Sequence, residues 1–406
     1  MNEIFSAAMR KATQLTREHN LLEATKVIQR ALSGQTAPES PAREGGPLLE
    51  LQAEPAPNPG VHQQAAENVE PNVARKKRPL GEVLENLRKF AHDFPQKLPN
   101  NLAAPLAKLR GRAPSVPVPD GASWLMRSFA CEAGTRDYKL YIPSRKGEEK
   151  RPLIVMLHGC TQNADDFAVG AGMNRLAEEQ GCVVAYPNQV IKANHMNCWN
   201  WFDPKDQSRD RGEPRIIAGI TRAVIAELNI DPGRVYVAGI SAGAAMAEVM
   251  GVTYPELYAA TGVHSGVAYG AATDAASAFA AMSGANQGRA RGKGRKAGVR
   301  TIIFHGTSDR VVHPSNGEAI LDDFRASHAG AETQSDGVAG GRAFKRTVIA
   351  DSSGVPQVER WAVEGLGHAW SGGSPEGTYT DPQGPDASRE MLRFFLNDER
   401  PAPRTS

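Results

Sequence analysis

The sequence has few cysteines, almost no excess of one charge and no long apolar run. Four cysteines in 406 residues (Cys131, Cys160, Cys182 and Cys198) are too few for a disulfide-built scaffold. No C-x-x-C pair occurs among them, which removes the usual zinc spacing. Cys182 sits in the apolar run Cys182-Val183-Val184-Ala185-Tyr186 and reads as a small buried hydrophobe. A formal net charge of +2 supplies no basic field for nucleic acid and no acidic surplus for cations. No apolar stretch is as long as a membrane span, so no such span is expected. The N-terminal residues Met1 to Arg10 lack a basic region followed by an apolar one. On that ground the expected location is the cytoplasm.

The composition changes along the chain. Residues 1–34 carry apolar positions at helical spacing (Ile4, Ala8, Ala12, Leu15, then Leu21, Leu22, Val27, Ile28 and Leu32), which predicts amphipathic helices ending near Gly34. Residues 35–120 are rich in Pro, Ala, Gly and Glu, with almost no aromatics before Phe90. Such a segment buries too little apolar surface to offset its conformational entropy and reads as a largely disordered linker. Within it, Arg75-Lys76-Lys77-Arg78 is a small basic cluster, and Leu80 to Phe94 has the spacing of a short helix. Residues 398–406 read as a disordered tail.

From residue 121 to 397, short apolar runs alternate with helical stretches, the pattern of an α/β sheet. Strands are predicted at 123–130, 138–142, 153–158, 183–186, 235–238, 260–263, 301–304 and 358–363. Helices are predicted at 172–180, 215–229, 242–254, 315–327 and 386–397. No helix separates the first two strands, which should form a hairpin. The later strands should be parallel, with helices on both faces. The glycine-rich basic stretch from Gly284 to Lys296 reads as a solvated insertion.

One motif carries chemistry. Arg234-Val235-Tyr236-Val237-Ala238-Gly239-Ile240-Ser241-Ala242-Gly243 contains G-x-S-x-G, with a β-branched strand leading in and an Ala/Met-rich helix leading out. That context predicts the strand-to-helix turn of an α/β-hydrolase, with the Ser241 hydroxyl held above the sheet edge at the positive end of a helix. A serine needs a base to take its proton, and in this fold the order along the chain is serine, acid, histidine. Thr301-Ile302-Ile303-Phe304 runs into His305-Gly306-Thr307-Ser308-Asp309, which places Asp309 on a loop at a strand's carboxyl end. The strand over 358–363 is followed by Glu364-Gly365-Leu366-Gly367-His368, which places His368 likewise. Loops at that edge of an open α/β sheet gather around ligands. His264, His305 and His313 compete with His368, and Asp322, Asp323 and Asp351 with Asp309, but only His368 satisfies both order and last-strand position. No metal or other cofactor is required.

Acyl transfer also needs backbone donors for the oxyanion. One is the amide of Ala242. The other should follow an early strand, and Leu157-His158-Gly159-Cys160-Thr161-Gln162 supplies it, with the amide of Cys160 as the first choice and Thr161 as the alternative.

Taken together, Leu157-His158-Gly159-Cys160-Thr161-Gln162, Cys198-Trp199-Asn200-Trp201-Phe202, Gly239-Ile240-Ser241-Ala242-Gly243 and Gly365-Leu366-Gly367-His368-Ala369-Trp370-Ser371-Gly372-Gly373 resemble the polyhydroxybutyrate depolymerase family of esterases. That family includes feruloyl and acetylxylan esterases. The resemblance covers roughly residues 121 to 397. It implies an α/β-hydrolase fold, carboxylic ester hydrolysis, Ser241, Asp309 and His368 as the triad, and the Cys160 amide as oxyanion donor. It also makes an extracellular location compatible with the chain. A hydroxyalkanoate oligomer or polymer is the expected substrate, with feruloyl or acetylated sugars as the alternative. A reading of another class is a granule-docking or assembly protein that uses the N-terminal helices. Trp199, Trp201 and Trp370 lie close to the motifs and are candidate apolar walls for the substrate. Cys160 and Cys198 border the same expected cleft and are a candidate disulfide pair.

Overall fold

A computed structural model of the chain describes residues 115–145, 149–285, 299–328 and 330–396. The helices expected over 1–34, the linker up to residue 114 with its basic cluster and short helix, almost all of the basic insertion and the tail lie outside the described residues.

The core is one ten-stranded sheet. Its elements in chain order are β1 (Ser123–Cys131), β2 (Gly134–Ile142), β3 (Arg151–Leu157), α1 (Ala164–Ala171), α2 (Met173–Gln180), β4 (Val183–Pro187), α3 (Gly212–Glu227), β5 (Ile230–Ile240), α4 (Ala242–Thr253), β6 (Ala260–His264), α5 (Ala275–Met282), β7 (Arg300–Gly306), α6 (Ser315–Ser327), β8 (Ala331–Ala339), β9 (Arg342–Ala350), β10 (Pro356–Val363), β11 (Trp370–Ser371), β12 (Thr380–Asp381) and α7 (Ala387–Leu396). The strands lie in the order β1-β2-β4-β3-β5-β6-β7-β10-β9-β8, with β11 and β12 forming a separate parallel pair. Strands β4, β3, β5, β6, β7 and β10 are mutually parallel. Antiparallel partners flank them, β1 and β2 on one side and β9 and β8 on the other. All parallel strands therefore point their carboxyl ends at one edge.

The central strands are buried on both faces, so their sequences read as unbroken apolar runs. Alternation of side chains along each strand then divides the core in two. Leu153, Val155, Leu157, Val235 and Val237 face Ile216, Ile220 and Val224 of α3 and Met246 and Met250 of α4. Ile154, Met156, Tyr236, Ala238 and Ile240 face the other way, toward Phe167 of α1, Leu176 of α2 and Met391 and Phe395 of α7. Burial of each large aliphatic side chain contributes about 1.5–3 kcal/mol, so the sheet is held from both faces. This is the helix-covered α/β sheet the sequence predicts.

The eight predicted strands are all present, several longer than expected. The β8–β9 hairpin and helices α1 and α5 were not expected. None of the helices among the described residues is long and apolar enough to cross a membrane.

Candidate active site

The turn between β5 and α4 holds Ser241 at φ 57°, ψ −121°, a backbone conformation that costs a non-glycine residue about 1–3 kcal/mol. Crowding imposes it. A Cβ on Gly243 would lie 2.0 Å from the Leu157 carbonyl oxygen, and one on Gly239 would lie 2.5 Å from the Gly243 carbonyl carbon. Strand and helix thus meet with no room for a side chain, and the serine at their junction is pushed outward, partly exposed. Its amide donates to the His264 carbonyl at 2.9 Å, tying the turn to the end of β6.

Asp309 and His368 come together as the order of the motifs predicts. His368 Nδ1 lies 2.8 Å from Asp309 Oδ2, and the other carboxylate oxygen accepts the backbone N–H groups of Val311 and Val312 at 2.9 Å each. Burial pushes the Asp309 carboxyl up, but the hydrogen bond and charge of His368 outweigh it, so the group stays below its ordinary range and ionised. The two loops are laced together: Thr307 N–H donates to the Val363 carbonyl at 2.9 Å and Ser308 N–H to the Leu366 carbonyl at 3.0 Å.

The competing histidines have other duties. His264 is fully buried, and its Nε2 accepts the Ser371 N–H at 3.0 Å while Nδ1 faces the Ser265 hydroxyl at 3.3 Å. Burial, then the nearby His305 and His368 rings, pulls its pKa down to about 3. His305 uses Nε2 on the Val312 carbonyl at 2.9 Å, and burial brings it down to about 4. His158 lies between the Gly159 carbonyl and the Gln189 amide and is likewise lowered to about 4, first by burial. All three are neutral rings that position backbone. His313 bonds the Ser315 hydroxyl at 2.8 Å. Asp322 pairs with Arg325, and Asp351 caps the turn at Ser353 and Val355. Asp323, on α6, also has a partner among the described residues.

The loop after β3 carries the two amides considered as oxyanion donors, those of Cys160 and Thr161. Thr161, at φ 65°, donates its amide to the Met196 carbonyl at 2.6 Å and is occupied. The amide N–H of Cys160 donates to no backbone carbonyl among the described residues, nor does that of Ala242 at the first turn of α4. Cys160 and Cys198 form a disulfide, with Cα atoms 4.2 Å apart. Gln162 braces the turn from below: its Oε1 accepts the Gly159 amide at 2.9 Å, and its Nε2 donates to the buried Asp166 at 3.0 Å and to the Thr378 carbonyl at 3.1 Å.

A second brace was not foreseen from sequence. Glu213, at the start of α3, is 3% exposed and accepts the Asn200 amide at 2.7 Å and the Asn200 side chain at 2.8 Å, and also bonds Gln189. Gln189 in turn donates to the Cys198 carbonyl at 2.9 Å. Burial and the charge of Asp206 push the Glu213 carboxyl up to about 7. The only signal in the sequence was a polar residue in an otherwise apolar helix face.

The three tryptophans require a correction. Trp199 and Trp370 are 0% and 1% exposed and belong to the core, so they are not open substrate walls. Trp370 stacks on His264 with centroids 4.9 Å apart and donates its Nε1–H to Ser388 at 3.1 Å, which is the work of a brace. Trp201 keeps an 8% exposed edge beside Phe202. Among the described residues, no group of three or more His, Cys, Asp or Glu side chains could hold a metal ion.

Comparison with known proteins finds a family and several relatives. The family described as Esterase PHB depolymerase matches residues 136–334. The chain is 34% identical over 269 residues to poly(3-hydroxyalkanoate) depolymerase C of Paucimonas lemoignei, covering 63% of this chain and 61% of that protein. It is 30% identical over 241 residues to poly(3-hydroxybutyrate) depolymerase of Ralstonia pickettii, covering 55% and 49%. It is also 35% identical over 137 residues to probable acetylxylan esterase A of Neosartorya fischeri, covering 33% and 35%. The chain therefore spans about half to three fifths of the two depolymerases it matches. Among solved structures, acetyl xylan esterase from Aspergillus awamori superposes with a TM-score of 0.52 at 19% identity, covering 67% of this chain and 98% of that one, a likeness of fold. The strand-to-helix turn, the family match over residues 136–334 and the depolymerase relatives agree, so this part of the chain is similar to the polyhydroxybutyrate depolymerase family of α/β-hydrolase esterases.

Proposed function

We propose that this chain hydrolyses carboxylic esters through an acyl-enzyme on Ser241, with hydroxybutyrate oligomers or polymer as substrate. The observation that carries the reading is the strained serine at the β5–α4 turn on the same sheet edge as the His368–Asp309 hydrogen bond. In the reaction, Ser241 Oγ attacks the ester carbonyl and His368 takes its proton through Nε2. Asp309 holds the Nδ1–H tautomer and stabilises the imidazolium. The amides of Cys160 and Ala242 donate to the oxyanion. Collapse of the tetrahedral intermediate expels the alcohol, which receives the proton from His368. Water then repeats the sequence and releases the hydroxy acid.

The test is labelling with a fluorophosphonate followed by peptide mapping, alongside turnover of 3-hydroxybutyrate oligomers. Ser241→Ala should lose both labelling and turnover, and a variant that retains normal turnover rules the mechanism out. Asp309→Asn should lower kcat by about 10⁴, because the amide favours the wrong imidazole tautomer. An Asp309→Asn enzyme within tenfold of the parent would remove Asp309 from its role.

The identity to a probable acetylxylan esterase favours a second reading, in which acetylated or feruloylated sugars are the substrate of the same machinery. A substrate panel separates the two, since only the alcohol and acyl parts differ.

A further inference from the structure

Ser241 is not the only strained residue on the catalytic edge. Thr161 at φ 65° and Tyr379 at φ 53° also occupy the left-handed region without being glycine, and for a β-branched residue such as threonine that is a true outlier. The strain at Ser241 follows from the crowded turn. Among the six non-glycine residues at positive φ, Thr161 and Tyr379 place together two side chains 218 residues apart in sequence: Thr161 Oγ1 and Tyr379 Oη lie 3.0 Å from each other in an exposed position.

Their placement gives the pair its meaning. Thr161 directly follows Cys160, and its amide is already fixed to the Met196 carbonyl. The Tyr379 carbonyl accepts the Trp370 amide at 2.7 Å, two residues beyond His368. The adjoining Thr380–Asp381 strand runs parallel to Trp370–Ser371. The pair therefore spans the gap between the loop with the Cys160 amide and the loop with His368. The Tyr379 ring packs partly on the buried cluster around Phe167 and Trp370, which steadies the phenol. An exposed hydroxyl pair adds little to stability because water competes for both groups. Two strained residues kept for such a contact are better accounted for by recognition.

We propose that Thr161 and Tyr379 form a subsite that reads the oxygen function next to the scissile bond, the neighbouring ester carbonyl or terminal hydroxyl of a hydroxyacyl ester. The phenol supplies an O–H donor and the threonine hydroxyl both a donor and lone pairs, so together they match a carbonyl or an alcohol. A simple acyl ester has no group for them to meet. This assignment rests on the hydroxyalkanoate esterase reading above.

The experiment compares kcat/KM of the full-length protein for the 3-hydroxybutyrate trimer and for p-nitrophenyl acetate. In Tyr379→Phe and in Thr161→Ala the trimer-to-acetate ratio should fall about tenfold, mainly through KM, as for one lost hydrogen bond to bound substrate. Thr161→Ser, which keeps the hydroxyl, should restore most of the ratio. A ratio that holds within about twofold in both Tyr379→Phe and Thr161→Ala overturns the assignment and leaves the pair a brace of the loop. A parent enzyme that cleaves p-nitrophenyl acetate through Ser241 but is inert to the trimer overturns the hydroxyalkanoate reading and this subsite together.

Discussion

Two loops flank the proposed oxyanion position, and they are held in opposite ways. The turn at Ser241 is fixed mainly by exclusion: glycine backbone closes on glycine backbone and the Leu157 carbonyl, with backbone bonds to His264 and from Ala245. The loop at Cys160 is fixed by attachment, through a disulfide, the Met196 carbonyl, Gln162 and the Glu213–Gln189 network. Steric exclusion is all-or-none, because a packed interior has no slack. Attachment can be removed one bond at a time. The proposed nucleophile should therefore fail abruptly on substitution and the proposed oxyanion loop by degrees.

The largest effect expected from that contrast is at Gly243. Gly243→Ala drives a methyl into the Leu157 carbonyl, so the protein should lose at least about 3 kcal/mol of stability or fail to fold. Denaturant unfolding reads this, and a parental midpoint would show that the turn has slack after all. Next is the disulfide. Cys198→Ser opens a link across 38 residues and should lower stability by about 3–4 kcal/mol by loop-closure entropy. If Cys160 is the donor, kcat should also fall, by about tenfold, less than the 10²–10³ of deleting a donor outright, because the remaining bonds still hold the loop. Unchanged kcat with lowered Tm would separate the disulfide from catalysis.

The smallest effect is a slope. Glu213 is raised from its usual 4.5 to about 7 by burial and Asp206. Between those values the folded protein holds a proton that the unfolded chain has released, so this group's contribution to stability is greatest below about 4.5 and declines as pH rises to about 7. Tm measured from pH 5 to 8 should show that decline, and Glu213→Gln should flatten it. A slope identical in both proteins would mean that Glu213 is ionised throughout.

The parts of the molecule governed by local pattern were legible in the sequence. Buried parallel strands announce themselves as apolar runs, and the elbow by glycines two residues either side of a serine between strand and helix. Asp309 and His368 followed from chain order alone. The β8–β9 hairpin has little signal in sequence because β8 is largely exposed, though Gly340 and Gly341, both at positive φ, mark its turn. Helix α1 is eight residues long, too short for periodicity to register, and only the Asn163 cap with Asp165 and Asp166 behind it signals its start. Helix α5 is capped by Asp274 and Ser277, outside the usual Glu or Gln pattern. The Glu213 network and the Thr161–Tyr379 contact join residues far apart in the chain, which no window of sequence can pair. The tryptophans misled because proximity to a motif along the chain does not say on which side of a loop a ring lies.

Helix α4 is buried from Ala242 through Gly251, with alanine and glycine at most positions of its first turns. The first turns behind the proposed nucleophile consequently offer no exposed side chain through which selectivity could be retuned. Any new preference, whether reached by natural drift or by laboratory selection, has to be written into loops of the same sheet edge, such as the Cys160 and Tyr379 segments.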